Sequence, residues 1–118
     1  MRKVLFVDDE VGFLENLQML FSGDPDLEIA VVSDPEKALH KAISFKPEII
    51  FLDVSMPKMD GGELAVILKE NAITREIPIV FITAVVASAE RGVHGGQIFM
   101  PKPVKSVEIK AIVKELLG

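Results

Sequence analysis

Four short apolar runs with no polar interruption, Val4-Leu5-Phe6-Val7, Ile49-Ile50-Phe51-Leu52, Ile79-Val80-Phe81-Ile82 and Ile98-Phe99-Met100, punctuate this chain. A fifth, Leu27 to Val32, lies between the first two and is broken only by Glu28. Strands with one face in water alternate polar and apolar residues. These runs do not, so they read as strands buried on both faces, as in a parallel sheet covered by helices. The stretches between them carry helical spacing. Val11, Leu14, Leu17, Gln18 and Phe21 fall on one face, and Ser22-Gly23-Asp24-Pro25 stops that helix. Asp34-Pro35 supplies a cap and a first-turn proline for a second helix. Its apolar face is Ala38, Leu39, Ala42 and Ile43, and it ends at Lys46-Pro47. Gly61-Gly62 opens a third, with Leu64, Ile67 and Leu68. The last begins near Ser106 and carries Ile109, Ile112, Val113, Leu116 and Leu117. Ala87 to Val93 is long enough for two helical turns before Gly92, Gly95 and Gly96 loosen the segment.

The pattern is an α/β chain of (βα)5 type. Right-handed crossovers and the common open arrangement give a strand order of 2-1-3-4-5, with ligands bound outside the carboxyl ends of the strands near the first and third. The 118 residues suit a single domain, and 49% hydrophobic with 26% charged residues is ordinary globular composition. Cys is absent, which removes disulfides, thiolate nucleophiles and Cys-based metal sites. The net charge of −5 and the scattered lysines leave no basic stripe for nucleic-acid phosphates. Only four apolar residues separate Met1-Arg2-Lys3 from Asp8, too few for a signal peptide or a membrane span, so a cytoplasmic protein is expected.

Five side chains follow these runs directly or within two residues: Asp8 and Asp9, Asp53, Thr83 and Lys102. Parallel strands would gather all five at one sheet edge. Two unit charges about 4 Å apart repel by about 4 kcal/mol at an effective dielectric of 20, so three clustered carboxylates call for a cation. Oxygen ligands without His or Cys suit Mg²⁺, with Mn²⁺ the alternative. A carboxylate beside such an ion is a nucleophile toward phosphorus. Lys102 then offers a point charge to a phosphoryl oxygen, Thr83 a hydrogen bond, and small Ala84 leaves room. Singly, each residue has a plainer role: Asp9 as a helix cap, Asp53 as a turn residue, Thr83 as a strand-end residue, Lys102 as a solvated surface group, Phe99 as core. It is their conjunction that points to one site. His40 and His94 have no second ligand at metal spacing and are expected to face solvent.

Along essentially its whole length the chain resembles the receiver domain of two-component response regulators. The resemblance rests on Val7-Asp8-Asp9-Glu10, on Asp53-Val54-Ser55-Met56-Pro57-Lys58-Met59-Asp60-Gly61, on Ile82-Thr83-Ala84 and on Lys102-Pro103. It implies a flavodoxin-like (βα)5 three-layer sandwich spanning residues 1–118 as one receiver domain. By that resemblance, Asp53 accepts a phosphoryl group from a sensor histidine kinase. Asp9 binds Mg²⁺ directly, Asp8 acts largely through water, and Ser55 offers its backbone carbonyl. Thr83 and Lys102 grip the phosphoryl oxygens, and Phe99 takes the place of the aromatic switch. A downstream protein or a histidine phosphotransfer protein would receive the signal, with no nucleic acid or membrane bound by this domain. The chain departs from the pattern in three places. Phe99 lacks the hydroxyl of the common Tyr, the interval from Thr83 to Lys102 is short by about one helical turn, and Pro101 precedes Lys102. With Pro103 it marks the Lys102-Pro103 bond as a candidate cis peptide.

Two other functions compete. A Mg²⁺-dependent phosphohydrolase of the haloacid dehalogenase kind wants a carboxylate two residues past its nucleophile, where this chain has Ser55. A binding module with an idle site would not need the intact set of acidic, hydroxyl and ammonium groups.

Overall fold

The computed structural model describes residues 1–83, 92–94 and 97–118, with 92–94 and 97 described by backbone alone. In chain order the elements are β1 (Arg2–Val7), α1 (Val11–Leu20), β2 (Leu27–Val32), α2 (Ala38–Phe45), β3 (Ile49–Asp53), α3 (Gly61–Glu70), β4 (Ile79–Thr83), β5 (Gly92–His94), β6 (Gln97–Pro101) and α4 (Ser106–Leu117). A single turn of 3-10 helix, Pro35–Lys37, leads into α2. They form one sheet of order β2-β1-β3-β4-β6-β5. The five long strands are parallel, so the predicted order 2-1-3-4-5 holds with β6 as its fifth strand.

The uninterrupted runs are buried on both sides, as their composition requires. On one face Val4, Phe6, Ile49, Phe51, Val80, Ile82 and Met100 meet Leu14, Leu17 and Phe21 at α1 and Ile109, Ile112 and Val113 of α4. On the other, Leu5, Val7, Ile50, Leu52 and Phe81 meet Ala38 and Ala42 of α2 and Leu64, Ala65 and Leu68 of α3. Phe6 and Phe51 stack on neighbouring strands with centroids 4.7 Å apart, a cross-strand pair that fixes register as well as burying area.

The local signals read in the sequence are mostly used. Asp34 caps its turn by accepting a hydrogen bond from the Glu36 amide, with Pro35 next to it. Lys46 ends α2 in the left-handed region at φ 56°. Asp60 and Glu63 form a capping box at the start of α3. On α1 the buried residues are Leu14 and Leu17, while Val11 is 54% exposed and Gln18 is exposed too, so the apolar stripe is narrower than predicted. His40 is exposed, as expected, and the side chain of His94 lies outside the described residues.

The segment after β4 differs from the expectation. Of the helix predicted for Ala87 to Val93, residues 87–91 lie outside the described residues, as does Ala84. Gly92 and Val93 belong instead to β5, which runs antiparallel to β6 with Val93 opposite Ile98. Glycine is a poor helix former, so Gly92 weakens a closing helical turn there. Four helices are found among the described residues. None of their helices is long and apolar enough to cross a membrane.

Candidate functional site

Strand register carries the chosen residues to one edge. Val7 pairs with Leu52, Asp53 with Ile82, and Thr83 with Pro101. Just past the strands, the Asp8 amide donates to the Val32 carbonyl, the Val54 amide to the Ile82 carbonyl and the Lys102 amide to the Thr83 carbonyl. Asp8, Asp9, Asp53, Thr83 and Lys102 therefore meet at the carboxyl ends of β1, β3, β4 and β6, as the sequence predicted.

Asp8, Asp9 and Asp53 each offer a carboxylate oxygen, all within 4.8 Å of one another. Asp8 and Asp53 are 1% and 4% exposed, and Asp9 is the least buried of the three. The plain role of Asp9 as a helix cap does not hold. The N-cap of α1 is Glu10, without a side-chain cap bond, and it is Asp8 Oδ1 that accepts from the Glu10 amide at 2.9 Å. Burial pushes the Asp53 carboxyl up to about 7, and the nearby Asp8 charge adds to this, while Lys102 pulls the other way. The Ser55 amide gives Asp53 Oδ1 only a long bond of 3.4 Å.

Lys102 is clamped. Its ammonium stands 2.7 Å from Asp8 Oδ2 and also bonds the Glu10 carboxylate. Burial alone would lower its pKa, but those two carboxylates outweigh burial and hold it above the ordinary lysine value. Asp8 Oδ2 itself is buried and has no hydrogen bond of good geometry among the described residues, so the ammonium serves it as a counter-charge rather than as an aligned donor. The Lys102-Pro103 peptide is cis, as predicted.

Thr83 is half-buried at the end of β4. Phe99 lies on β6 and stacks on Phe81 at 5.3 Å between centroids, packed against the α2–α3 side of the core. Met56 is buried in that same cluster and Met59 packs beside it. Three contributors were given no role at the site in the sequence reading: Glu10 and Phe13, which hold Lys102, and Gly61. A Cβ on Gly61 would collide with the Asp53 carbonyl oxygen and come within 3.0 Å of the Val54 Cα. The Asp60-Gly61 pair after the phosphoacceptor candidate was the available signal for the last. Nothing in the spacing points to the other two.

A buried, poorly hydrogen-bonded carboxylate oxygen beside two further carboxylates, with no His or Cys among them, fits a hard divalent cation. The model of the response regulator receiver domain matches residues 4–114. The chain belongs to the response regulator receiver family. It is 30% identical over 98% of its length to the response regulator Rre1 of Synechocystis sp., covering 51% of that protein. It is 34% identical over 98% of its length to the alkaline phosphatase synthesis transcriptional regulatory protein PhoP of Bacillus subtilis, covering 48% of it. The receiver chain thus spans about half the length of these curated relatives. The chemotaxis protein CheY4 of Vibrio cholerae shares the fold, with a TM-score of 0.82, 24% identity and 99% of each chain covered. Receiver domains bind Mg²⁺ through an acidic pocket of this kind and work with a histidine kinase and downstream effectors.

Proposed function

We propose that Asp53 is the phosphoacceptor of a Mg²⁺-dependent reaction in which a sensor histidine kinase supplies the phosphoryl group. The observation that carries this is the Asp53 carboxylate itself. It is buried at the sheet edge and crowded by Asp8 and Asp9, and its ionised form is disfavoured until positive charge compensates it. An ionised Asp53 oxygen attacks phosphorus, the bond from phosphorus to the imidazole nitrogen of phosphohistidine breaks, the imidazole leaves, and an acyl phosphate remains on Asp53. Asp8, Asp9, Asp53 and the Ser55 backbone carbonyl would hold the ion. Mg²⁺, or Mn²⁺ in its place, supplies charge neutralisation at the carboxylates and the transferring group. Lys102 and Thr83 are assigned to phosphoryl oxygens, the first by charge and the second by its hydroxyl. Phe99, stacked on Phe81 one strand from Thr83, is assigned the packing change that reports phosphorylation to a downstream protein or a histidine phosphotransfer protein. Residues 1–118 act as one cytoplasmic receiver domain. Its chemistry is its own phosphorylation and dephosphorylation, not turnover of a separate small substrate, and it does not itself bind nucleic acid or membrane.

Intact mass after incubation with phosphoramidate tests this. One phosphoryl adduct is expected on the wild type, dependent on Mg²⁺, labile to hydroxylamine and absent from Asp53→Ala. An adduct that persists in the mutant would overturn the assignment.

A further inference from the structure

Lys102, the group assigned to a phosphoryl oxygen, is already held by three neighbours. An ammonium has three donors and no acceptor. Here it faces Asp8 Oδ2 at 2.7 Å, the Glu10 carboxylate, and the Phe13 ring at 4.6 Å from the centroid. Its side chain is 11% exposed, while that of Glu10 is 60% exposed, so the acidic partner reaches in from solvent to close over the lysine. Phe13 comes from the first turn of α1 and packs against the α1–α4 side of the core. These contacts converge on one ammonium position.

Asp8, whose Oδ2 faces Lys102, belongs to the carboxylate trio that would bind a cation. Both positive charges compete for it. We propose that Glu10 and Phe13 are positioning residues that park the Lys102 ammonium on Asp8, and that the strength of this hold sets the divalent-cation affinity of the site. Lys102 must leave Asp8 as that carboxylate turns to the cation, and the released ammonium becomes available to a phosphoryl oxygen. The order of events is thereby built in: the lysine is freed only where the acidic site is filled. This inference rests on the assignment of Asp8, Asp9 and Asp53 as the cation site.

The proposal has a distinctive sign. Glu10 is an acid close to that site, so simple electrostatics makes its removal weaken cation binding. If it works through the lysine, its removal tightens cation binding. Isothermal titration with MgCl₂ at low ionic strength separates the two. Glu10→Gln, and the charge-neutral Phe13→Leu, are each expected to tighten Mg²⁺ binding by about two- to fivefold, the range of an exposed ion pair or cation–π contact. In a Lys102→Met background, Glu10→Gln is expected to give no tightening, since the pairwise coupling is then removed. Binding that is weaker or unchanged in Glu10→Gln, or tightening that survives without Lys102, would overturn the hold. Asp9→Asn distinguishes the underlying assignment. If the wild type shows no saturable binding, or if Asp9→Asn leaves binding intact, the cation site falls and the hold falls with it. If Asp9→Asn abolishes binding but Glu10→Gln does not tighten it, the hold alone is refuted.

Discussion

Replacing Asp53 by Asn should remove a pH-dependent weakness from the cation-free protein. Folding raises the Asp53 pKa from 3.8 to about 7, through burial and then through the Asp8 charge. The native state therefore holds the proton more tightly than the unfolded chain does. The resulting stability is fully present below about pH 4, is lost as pH climbs to about 7, and is level above that. Between pH 5 and pH 7, at about 1.4 kcal/mol per pH unit, the upper bound is close to 3 kcal/mol. The site lies at the sheet edge beside the more open Asp9 and exposed Ser55, so solvent screens it, and about half of that, ~1–2 kcal/mol, is the expected size. At this chain length a kcal/mol moves the melting temperature by about 5 °C.

The assay is thermal unfolding by far-UV circular dichroism in EDTA from pH 5 to pH 8, since Trp and Tyr are both absent and fluorescence reports little. Groups remote from the site are common to both proteins, so the difference between wild type and Asp53→Asn reports Asp53 together with its interactions with Asp8 and Lys102. The wild type should lose about 5–10 °C relative to the mutant across that range, and saturating Mg²⁺ at pH 8 should restore the wild type by more than it moves the mutant. Parallel pH curves for the two proteins would refute the argument that the carboxylate is destabilised by its surroundings.

Two further outcomes follow from the same geometry. Asp9 accepts no cap bond from α1, so Asp9→Asn should cost no helix stability and should raise the EDTA melting temperature at pH 8 by relieving repulsion within the trio; a lower melting temperature would refute this. Gly61→Ala should destabilise by about 1–3 kcal/mol by forcing the Asp53 carbonyl aside, read as a shifted urea midpoint, with slower phosphoramidate labelling because the backbone under the acceptor moves; an unchanged midpoint would show that the loop yields freely.

The parallel sheet was legible because β1, β3 and β4 are short apolar runs whose period and burial have one common explanation. Once the strands are parallel, the residue after each run goes to the same edge, so Asp8, Asp53 and Thr83 follow from topology alone. What stayed hidden depends on something other than period. The three-residue β5 sits among glycines and carries no repeat that a sequence pattern can detect. The exposed Val11 shows that helical spacing marks a stripe without fixing how wide the sheet's cover must be. Glu10 and Phe13 reach Lys102 across 92 and 89 positions, through rotamers that local sequence does not encode.

Those two contacts bear on why the acidic site is compatible with a folded chain at all. Three carboxylates whose oxygens lie within 4.8 Å would repel strongly at a buried edge. Two responses coexist in the structure: Asp53 is pushed toward its neutral form, and Asp8 takes Lys102 as an internal counter-ion. Each limits readiness on the proposed assignment, since a protonated Asp53 is no nucleophile and a Lys102 parked on Asp8 has yet to reach a phosphoryl oxygen. On the proposed assignment, a cation at the trio reverses both at once, ionising Asp53 and releasing Lys102. The features that stabilise the resting domain are then the same ones that keep it from reacting before its cation is in place.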